Sequence, residues 1–383
     1  MIKDAISPRA EQHHVERGRL PSMHRIVVKV GSSSIASVSD GVSMAAVATL
    51  VDALAARYQG GFQVVLVTSG AVAAGLAPLG LSKRPQDFPT QQAAASVGQG
   101  LLMASYAEAF QRHGLKVGQV LLTAEQLMCR SQHRNAFSTL ERLLHLGVIP
   151  LVNENDVVST QEIRFGDNDH LAALVARLVH ADALVLLSDV HAVFDRPPTQ
   201  GGKRIEHVRE VSDLRNIVIG RPGAAGVGLG GMQSKISAAS WAADSGIPSL
   251  ITSAANAKDA LAGEDVGTWF SVTGRRKSIK KLWLAHLAQP QGRLVIDDGA
   301  VQAIRNQHTS LLPSGVTALE GNFEAGDAVE VLSTTGTLIA RGAVNFSSKE
   351  LPLMLGRSTS KLRELLGSGF DREIIHVDNL VAL

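Results

Sequence analysis

Cysteine is almost absent from this chain: Cys129 is the single one among 383 residues. One thiol excludes an intramolecular disulfide and a metal site built from cysteines, and this usage is typical of a reducing compartment. We therefore expect the protein in the cytoplasm. The 13 histidines are scattered without the spacing of metal ligands. The sequence thus predicts neither a zinc site nor protein side chains that hold a resident metal ion.

The chain also lacks any apolar run near the roughly 18 residues that a membrane span needs. Residues 1–21 are polar and contain no apolar segment of the secretory-signal type. We expect residues 1–22 to form a disordered N-terminal extension. The formal net charge is only +2, which argues for neither a nucleic-acid partner nor a membrane partner.

Three common catalytic or nucleotide-binding motifs are missing or out of place. No G-x-S-x-G occurs, which argues against an α/β-hydrolase. A formal G-x-G-x-x-G is present at Gly226, Gly228 and Gly231, but it follows the loop 220–225 rather than a core strand. No acidic residue ends the next strand, and no G-K-[ST] follows, so both the dinucleotide fold and the Walker A loop are disfavoured.

What the chain does contain is an alternation of apolar strands and amphipathic helices. The predicted strands are 24–30, 62–67, 117–123, 148–152 and 183–187, and the predicted helices are 45–58, 93–112, 134–145 and 170–180. Asp169 is the expected N-cap of the last helix. Several strands are apolar throughout, which predicts an α/β fold with a mainly parallel open sheet sandwiched by helices. Ligands of such sheets bind at the carboxyl ends of the strands.

The pattern changes after about residue 270, where the basic stretch RRKSIKK covers 275–281. A helix-poor region follows, with short apolar runs at 294–296, 329–332, 338–344 and 374–377. We predict an α/β domain at 23–272, a basic linker at 273–290 and a small, mostly β domain at 291–383. Residues 282–383 carry eight basic and eleven acidic side chains, a net charge of −3.

Two polar clusters lie at the ends of predicted elements. The sequence NEND at 153–156 follows one strand, and FGDNDHL at 165–171 begins a helix. Acids and amides at such joints are typical of a site, since a folded core does not need them there. By themselves they fit a cation site, an amino-group site or a phosphoryl-transfer site.

Glycine-rich turns that carry lysines favour the last of these. Lys29 ends an apolar strand and precedes Gly31, and GVGLGGMQSK at 226–235 delivers Lys235 at a helix start. Ser69 and Gly70 form a strand–turn–helix joint that suits an anion. Each feature by itself also has a purely structural interpretation. Lys29 fits an edge-strand lysine, the loop 226–235 fits a flexible surface loop, and Ser69-Gly70 fits an ordinary strand–helix turn. Together with the carboxylates they indicate phosphoryl transfer, which needs positive charge and accurate placement of the acceptor.

These motifs resemble the amino-acid kinase family, and within it the glutamate 5-kinases. The matching segments run from about residue 24 to 273 and are VVKVGSSS, LVTSGAVAAG, 134–144, IPLVNENDVV, IRFGDNDHLAAL and GGMQSK. Residues 292–382 resemble a PUA domain, through RLVIDDGAVQAI, FEAGDAVEV and 339–342. The resemblance implies ATP-dependent phosphorylation of the γ-carboxylate of L-glutamate with Mg²⁺, giving L-glutamyl 5-phosphate for proline biosynthesis. It also implies feedback inhibition by L-proline and a homo-oligomer.

The resemblance assigns roles to individual residues. The catalytic group is Lys29, Lys235 and Asp169, with Asp169 orienting the two lysines. Glutamate would contact Ser69, Asp156 and Asn168. ATP would lie against Lys29, Gly31, Ser188, Asp189, Leu229, Gly230, Gly231, Met232, Gln233, Ser234 and Lys235. Asp156 suits the α-ammonium group, because a carboxylate pairs well with a cation.

The chain departs from the family pattern near the nucleotide. Leu229 stands where threonine is usual, Ser188 replaces a threonine, and HAVFDRPP at 191–198 differs from the usual run. One alternative is a kinase of the same fold that acts on another acid, such as aspartate or acetylglutamate. The other is an RNA-binding protein, since PUA domains often bind RNA, but the acidic C-terminal region disfavours it.

Overall fold

The computed structural model describes residues 16–37, 40–159, 168–214, 231–272, 284, 290–307, 309–367 and 369–382. The chain divides into two compact units, Met1–Arg276 and Lys277–Leu383. Leu229 and Gly230, the acidic residue Asp167 and nearly all of the expected basic linker fall outside the described residues. Among the described helices, none is long and apolar enough to cross a membrane.

The first unit alternates strands and helices. Its strands are β1 (Arg25–Val30), β2 (Ala36–Ser37), β3 (Gly41–Val42), β4 (Gln63–Val67), β5 (Lys116–Leu122), β6 (Val148–Glu154), β7 (Ala183–Ser188), β8 (His207–Val208), β9 (Ser249–Ser253) and β10 (Thr268–Phe270). Its helices are α1 (Ser32–Ile35), α2 (Met44–Gln59), α3 (Ala71–Leu76), α4 (Phe88–Gln111), α5 (Ala124–Met128), α6 (Arg130–His145), α7 (Asn168–Leu178), α8 (Met232–Asp244) and α9 (Ala257–Leu261).

Eight of these strands form one sheet in the order β5-β6-β4-β1-β7-β9-β10-β8. All neighbours run parallel except β9 and β10. Apolar residues of α2, α4 and α9 pack on one face of the sheet, and α7 and α8 lie against β1 and β9. The expected parallel sheet with helices on both faces is therefore confirmed. Parallel strands bring their carboxyl ends to one edge, where β1, β4, β6, β7 and β9 all end.

Helices α3 and α4 cross in unusually close contact at two glycines. A Cβ on Gly98 would lie 1.8 Å from the carbonyl oxygen of Ala71, and one on Gly75 would lie 1.9 Å from that of Ala94. Only glycine fits at such a crossing. The contact fixes the start of α3, and with it the Thr68-Ser69-Gly70 turn, against the longest helix of the unit.

Element ends differ from the expected ones in places that affect the site. Strand β6 continues through Asn153 and Glu154, two residues beyond the predicted end. Helix α7 begins at Asn168, so Asp169 is its second residue and the expected N-cap was wrong. The side chain of Asp169 instead turns into the protein, where it pairs with lysines described below.

The N-terminal residues 16–22 are folded, contrary to the expectation of a disordered extension. Arg17 is buried, forms an ion pair with Asp265 and donates to the carbonyl oxygen of Glu206 at 2.8 Å. Leu20 is fully buried in the main core. The two contacts of Arg17 span 248 and 189 positions of the chain, which a local pattern of polar residues does not reveal. Residues 1–15 lie outside the described part of the chain.

In the part of the second unit that the structure describes, most regular structure is β, and the sequence pattern missed the helices Asp298–Gln307 and Thr359–Leu366. Its elements are β11 (Gly292–Ile296), α10 (Asp298–Gln307), β12 (Val316–Gly321), β13 (Ala328–Ser333), β14 (Leu338–Ala343), α11 (Thr359–Leu366) and β15 (Leu380–Ala382). The sheet order is β12-β11-β13-β14-β15 around its own apolar core. The expected strand at 374–377 is wrong: Ile375 makes only an isolated bridge to Leu311, and the last strand begins at Leu380.

Candidate active site

Lys29 lies on β1, a central strand of the sheet. It is the fifth residue of β1, in register with Val67 of β4 and Leu186 of β7. Its side chain is only 5 % exposed and reaches Asp169 at the start of α7, with 2.5 Å between Nζ and Oδ1. The edge-strand interpretation of this lysine is excluded, because β1 has a paired strand on both sides.

Asp169 holds a second lysine with its other carboxylate oxygen. Lys235, on the first turn of α8, places Nζ 3.1 Å from Oδ2. The Asp169 side chain is 0 % exposed and that of Lys235 is 8 % exposed. The side chains of Lys29, Asp169 and Lys235 together carry one net positive charge, and all three are nearly inaccessible to water. Such a cluster attracts an anion strongly, because little water is present to screen it.

The amide of Asn168 belongs to a second network, immediately beside this cluster. Its Nδ2 donates to Ser69 Oγ at 2.9 Å and to Asn153 Oδ1 at 3.0 Å. The backbone N–H of Glu154 donates to Asn153 Oδ1 at 2.9 Å and to Asn168 Oδ1 at 3.2 Å. The ends of β4 and β6 and the start of α7 are thus joined through polar side chains. Because Asn168 and Asp169 are consecutive, the two networks meet at one helix start.

Asp156 lies just after β6, next to the amide network. It is partly buried, and this burial raises the pKa of its carboxyl to about 6, while the nearby positive charge of Arg84 acts in the opposite direction. A carboxylate that is costly to ionise without a partner is well suited to receive a cationic group. Within the described part of the site, Asn168 bonds to Ser69, Asn153 and Glu154, and Asp156 lies two residues beyond this network along the chain.

The remaining residues expected at the nucleotide fall into three places. Gly31 follows β1, and its N–H donates to the carbonyl oxygen of Leu187 at 3.1 Å, which ties the ends of β1 and β7 together. Ser188 ends β7 and donates from Oγ to Asp189 Oδ1 at 2.9 Å. Gly231 is the N-cap of α8, and Met232, Gln233 and Ser234 form its first turn ahead of Lys235.

Sequence reasoning left out three residues that the structure brings to the site. Asn153 was part of the NEND cluster but received no role. Gln99 of α4 accepts from Asn153 Nδ2 at 2.7 Å, and Gln92 of the same helix donates to backbone oxygens after β6. A signal for the two glutamines was present in their spacing of seven residues, which places them on one side of a helix.

Comparison with known proteins agrees with this geometry. The model of the family described as "Amino acid kinase family" matches residues 24–253, which include Lys29, Asp169, Lys235 and the residues of the amide network. The chain belongs to the amino acid kinase family. The model of the PUA domain matches residues 292–366, within the second compact unit. Both resemblances expected from the motifs are confirmed.

Curated relatives extend this match over nearly the whole chain. A protein of Streptomyces coelicolor named glutamate 5-kinase is 56 % identical over 94 % of this chain and 96 % of its own length. A glutamate 5-kinase of Streptomyces avermitilis is 55 % identical, again over 94 % of this chain and 96 % of its own length. A glutamate 5-kinase of Salinispora arenicola is 52 % identical over 96 % of this chain and all of its own length.

Proposed function

We propose that this protein is a glutamate 5-kinase. It transfers the terminal phosphoryl group of ATP to the γ-carboxylate of L-glutamate and forms L-glutamyl 5-phosphate, the first step of proline biosynthesis. The observation that carries the proposal is the buried Lys29–Asp169–Lys235 cluster beside the Asn168 amide, in a chain with relatives of that name at more than 50 % identity.

The two lysines supply the positive charge that the reaction needs. In phosphoryl transfer, negative charge spreads over the oxygens of the transferring group, and the protein contributes mainly placement and electrostatic stabilisation. Asp169 holds both ammonium groups before substrate arrives, so little reorganisation is required when the phosphates bind. Attack by a carboxylate oxygen needs no general base, since the nucleophile is already ionised. This fits a site in which the fully buried carboxylate of Asp169 is paired with lysines.

The glutamate site is proposed on the other side of Asn168. Ser69 and Asn168 offer a hydroxyl and an amide to the carboxylate groups, and Asp156 offers its carboxylate to the α-ammonium group. These three groups come from the ends of β4 and β6 and the start of α7. They can therefore hold the amino acid with its γ-carboxylate toward the lysines. The same three side chains discriminate against a shorter or acylated acid. Such a ligand would leave some of these polar groups unpaired, which lowers its affinity.

The nucleotide is proposed to lie over Gly31, the Ser188–Asp189 turn and the start of α8. The N-terminus of α8 directs backbone N–H groups and a favourable helix dipole toward an anion. For the Mg²⁺ that accompanies ATP, the described residues contain no group of three metal-ligating side chains. We propose that this ion is carried mainly by phosphate oxygens and water, as Mg²⁺ prefers. Its role is to neutralise phosphate charge.

A trapping assay tests the activity directly. Purified protein, ATP, Mg²⁺ and L-glutamate are incubated with hydroxylamine, which converts an acyl phosphate into the γ-hydroxamate. We expect hydroxamate that depends on glutamate, with L-aspartate and N-acetyl-L-glutamate as parallel substrates that give much less. ADP release that is independent of glutamate, with no hydroxamate above background, would remove the proposal. Preference for another acid would instead point to the alternative kinase.

Feedback inhibition by L-proline is part of the proposal. Proline shares the α-ammonium and α-carboxylate groups of glutamate, so a site that uses Asp156 can admit both. Inhibition should then weaken as glutamate is raised. Proline inhibition that is insensitive to glutamate would place proline at a separate site. A homo-oligomer and a cytoplasmic location, where ATP and glutamate are available, also remain part of the proposal.

A further inference from the structure

Helix α4 carries a polar stripe that the assigned roles do not use. Gln92, Gln99 and Tyr106 recur every seven residues along Phe88–Gln111. Two turns of α-helix take about 7.2 residues, so the three side chains lie on one side of the helix, within about 21 Å along its axis. The surrounding residues are mainly small or apolar, which makes the stripe distinct.

The first two members contact the backbone and side chains of the proposed glutamate site. Gln92 Nε2 donates to the carbonyl oxygens of Asp156 at 3.2 Å and of Val157 at 3.0 Å. Gln99 Oε1 accepts from Asn153 Nδ2 at 2.7 Å. The Gln92 contacts hold the segment that follows β6, where Asp156 lies, and the Gln99 contact holds the end of β6 itself.

The third member contacts the turn that carries Ser69. Tyr106 is fully buried, and burial raises the pKa of its phenol far above the usual value, so it stays neutral. The hydroxyl of Thr68 donates to the Tyr106 oxygen at 3.1 Å. Each of the three loops that supply glutamate-site residues is therefore joined to α4, either directly or through Asn153.

The orientation of the Asn153 amide decides how the network works. The backbone N–H of Glu154 can only donate, so the atom of Asn153 that faces it at 2.9 Å must be the oxygen. The Asn153 nitrogen then faces Gln99, whose oxygen must accept. The same Asn153 oxygen also accepts from Asn168 Nδ2. Asn168 is thereby held with its nitrogen toward Ser69.

We propose that α4 positions the glutamate site and that Gln99 is its main positioning residue. Gln99 fixes the Asn153 amide, and through it the Asn168 amide that is proposed to contact glutamate. The inference rests on the proposed function, because glutamate is the ligand whose binding it concerns. Without Gln99, the Asn153 amide could not relieve its unpaired nitrogen by rotating, because that nitrogen would then face the N–H of Glu154, donor against donor. Loss of the Gln99 acceptor therefore leaves a buried Asn153 donor unpaired and loosens the amide that Asn168 contacts.

The experiment compares Gln99→Met with wild type and with Gln111→Met. Methionine keeps the length of the side chain and removes the acceptor. Gln111 is the last residue of the same helix and is exposed, so it controls for the substitution itself. We expect Gln99→Met to raise the glutamate KM about tenfold, as a disturbed buried amide contact implies. The KM for ATP and kcat should stay within about twofold, and Gln111→Met should behave as wild type.

A double-mutant cycle separates positioning from general damage. In an Asn153→Ala background, Gln99→Met should have almost no further effect on the glutamate KM, since its action passes through Asn153. Additive effects would overturn the inference, as would equal rises in the KM values for ATP and glutamate. Should Gln99→Met fail to fold in a thermal melt, Gln99→Asn keeps the amide but shortens its reach, and the same comparison applies. Wild-type protein without glutamate-dependent hydroxamate would refute the proposed function, whereas active wild type with an unaffected Gln99→Met would refute only this inference.

Discussion

Asp156 offers the sharpest test of the proposed glutamate site. Its ionised carboxylate is expected to bind glutamate and, because it is buried, to lower the stability of the folded protein. Burial raises its pKa from 3.8 to about 6. If the ionised form receives the α-ammonium group of glutamate, affinity should follow the ionised fraction of Asp156. That fraction is about one tenth at pH 5.0 and nearly one at pH 7.5, so glutamate binding should weaken about tenfold between the higher and the lower pH. Glutamate itself keeps its charges over most of this range.

The same pKa makes an opposite prediction for stability. Between about pH 4 and pH 6 the folded protein binds more protons at Asp156 than the unfolded chain does, so stability from this residue falls as pH rises through that window. Above pH 6 the cost of keeping the buried carboxylate ionised is at most about 3 kcal/mol. Asp156→Asn removes this cost. We expect the variant to be more stable than wild type at pH 7.5 by about 1–3 kcal/mol, to match it near pH 4, and to bind glutamate poorly at every pH.

Calorimetric titration with glutamate and denaturant unfolding at several pH values measure both effects. Release of ADP is the better activity readout here, because hydroxylamine titrates in the same pH range. Asp259→Asn changes an exposed aspartate on α9 and serves as the control. Glutamate affinity that is flat from pH 5.0 to 7.5 in wild type, or an Asp156→Asn protein that is less stable at pH 7.5, would refute the reasoning.

Three further outcomes follow from other parts of the chain. Lys29→Ala and Lys235→Ala should each lower kcat about 10²- to 10⁴-fold with little effect on the glutamate KM, since the charge acts mainly in the transition state; near-normal kcat would remove that lysine from the mechanism. Gly98→Ala should destabilise the protein by about 1–3 kcal/mol or more in a thermal or denaturant melt, because its Cβ would strike the Ala71 carbonyl oxygen at 1.8 Å. Gly100→Ala on the same helix meets nothing within 4 Å and should be neutral or stabilising, so similar losses in both variants would contradict this account. Truncation after residue 276, the boundary between the two compact units, should leave a folded kinase that forms hydroxamate, and insoluble protein or a much lower melting temperature would show that the units depend on each other.

The sequence alone predicted the parallel sheet and the type of chemistry, because both leave local signals. The continuous apolar runs of β1 and β7 show that these strands are covered on both faces. The lysines on glycine-rich turns and the acid–amide clusters stand at element ends, where ligand sites of such sheets occur. Lys29, Asp169 and Lys235 could be named as one group from the motifs, although they lie far apart along the chain.

Only the tertiary structure decided how these groups meet. The register of β1 against β4 and β7 sets the depth of Lys29, and the start of α7 at Asn168 turns Asp169 inward, where both lysines reach it. The hydrogen bond between Asn153 and Gln99 joins residues 54 positions apart, and the ion pair between Arg17 and Asp265 joins residues 248 apart. Periodicity reports which side of an element is buried, but not which element covers it. Packing of α4 against α3 at Gly98 accompanies the approach of Gln99 to Asn153, and the approach of Arg17 to Asp265 is a separate tertiary contact.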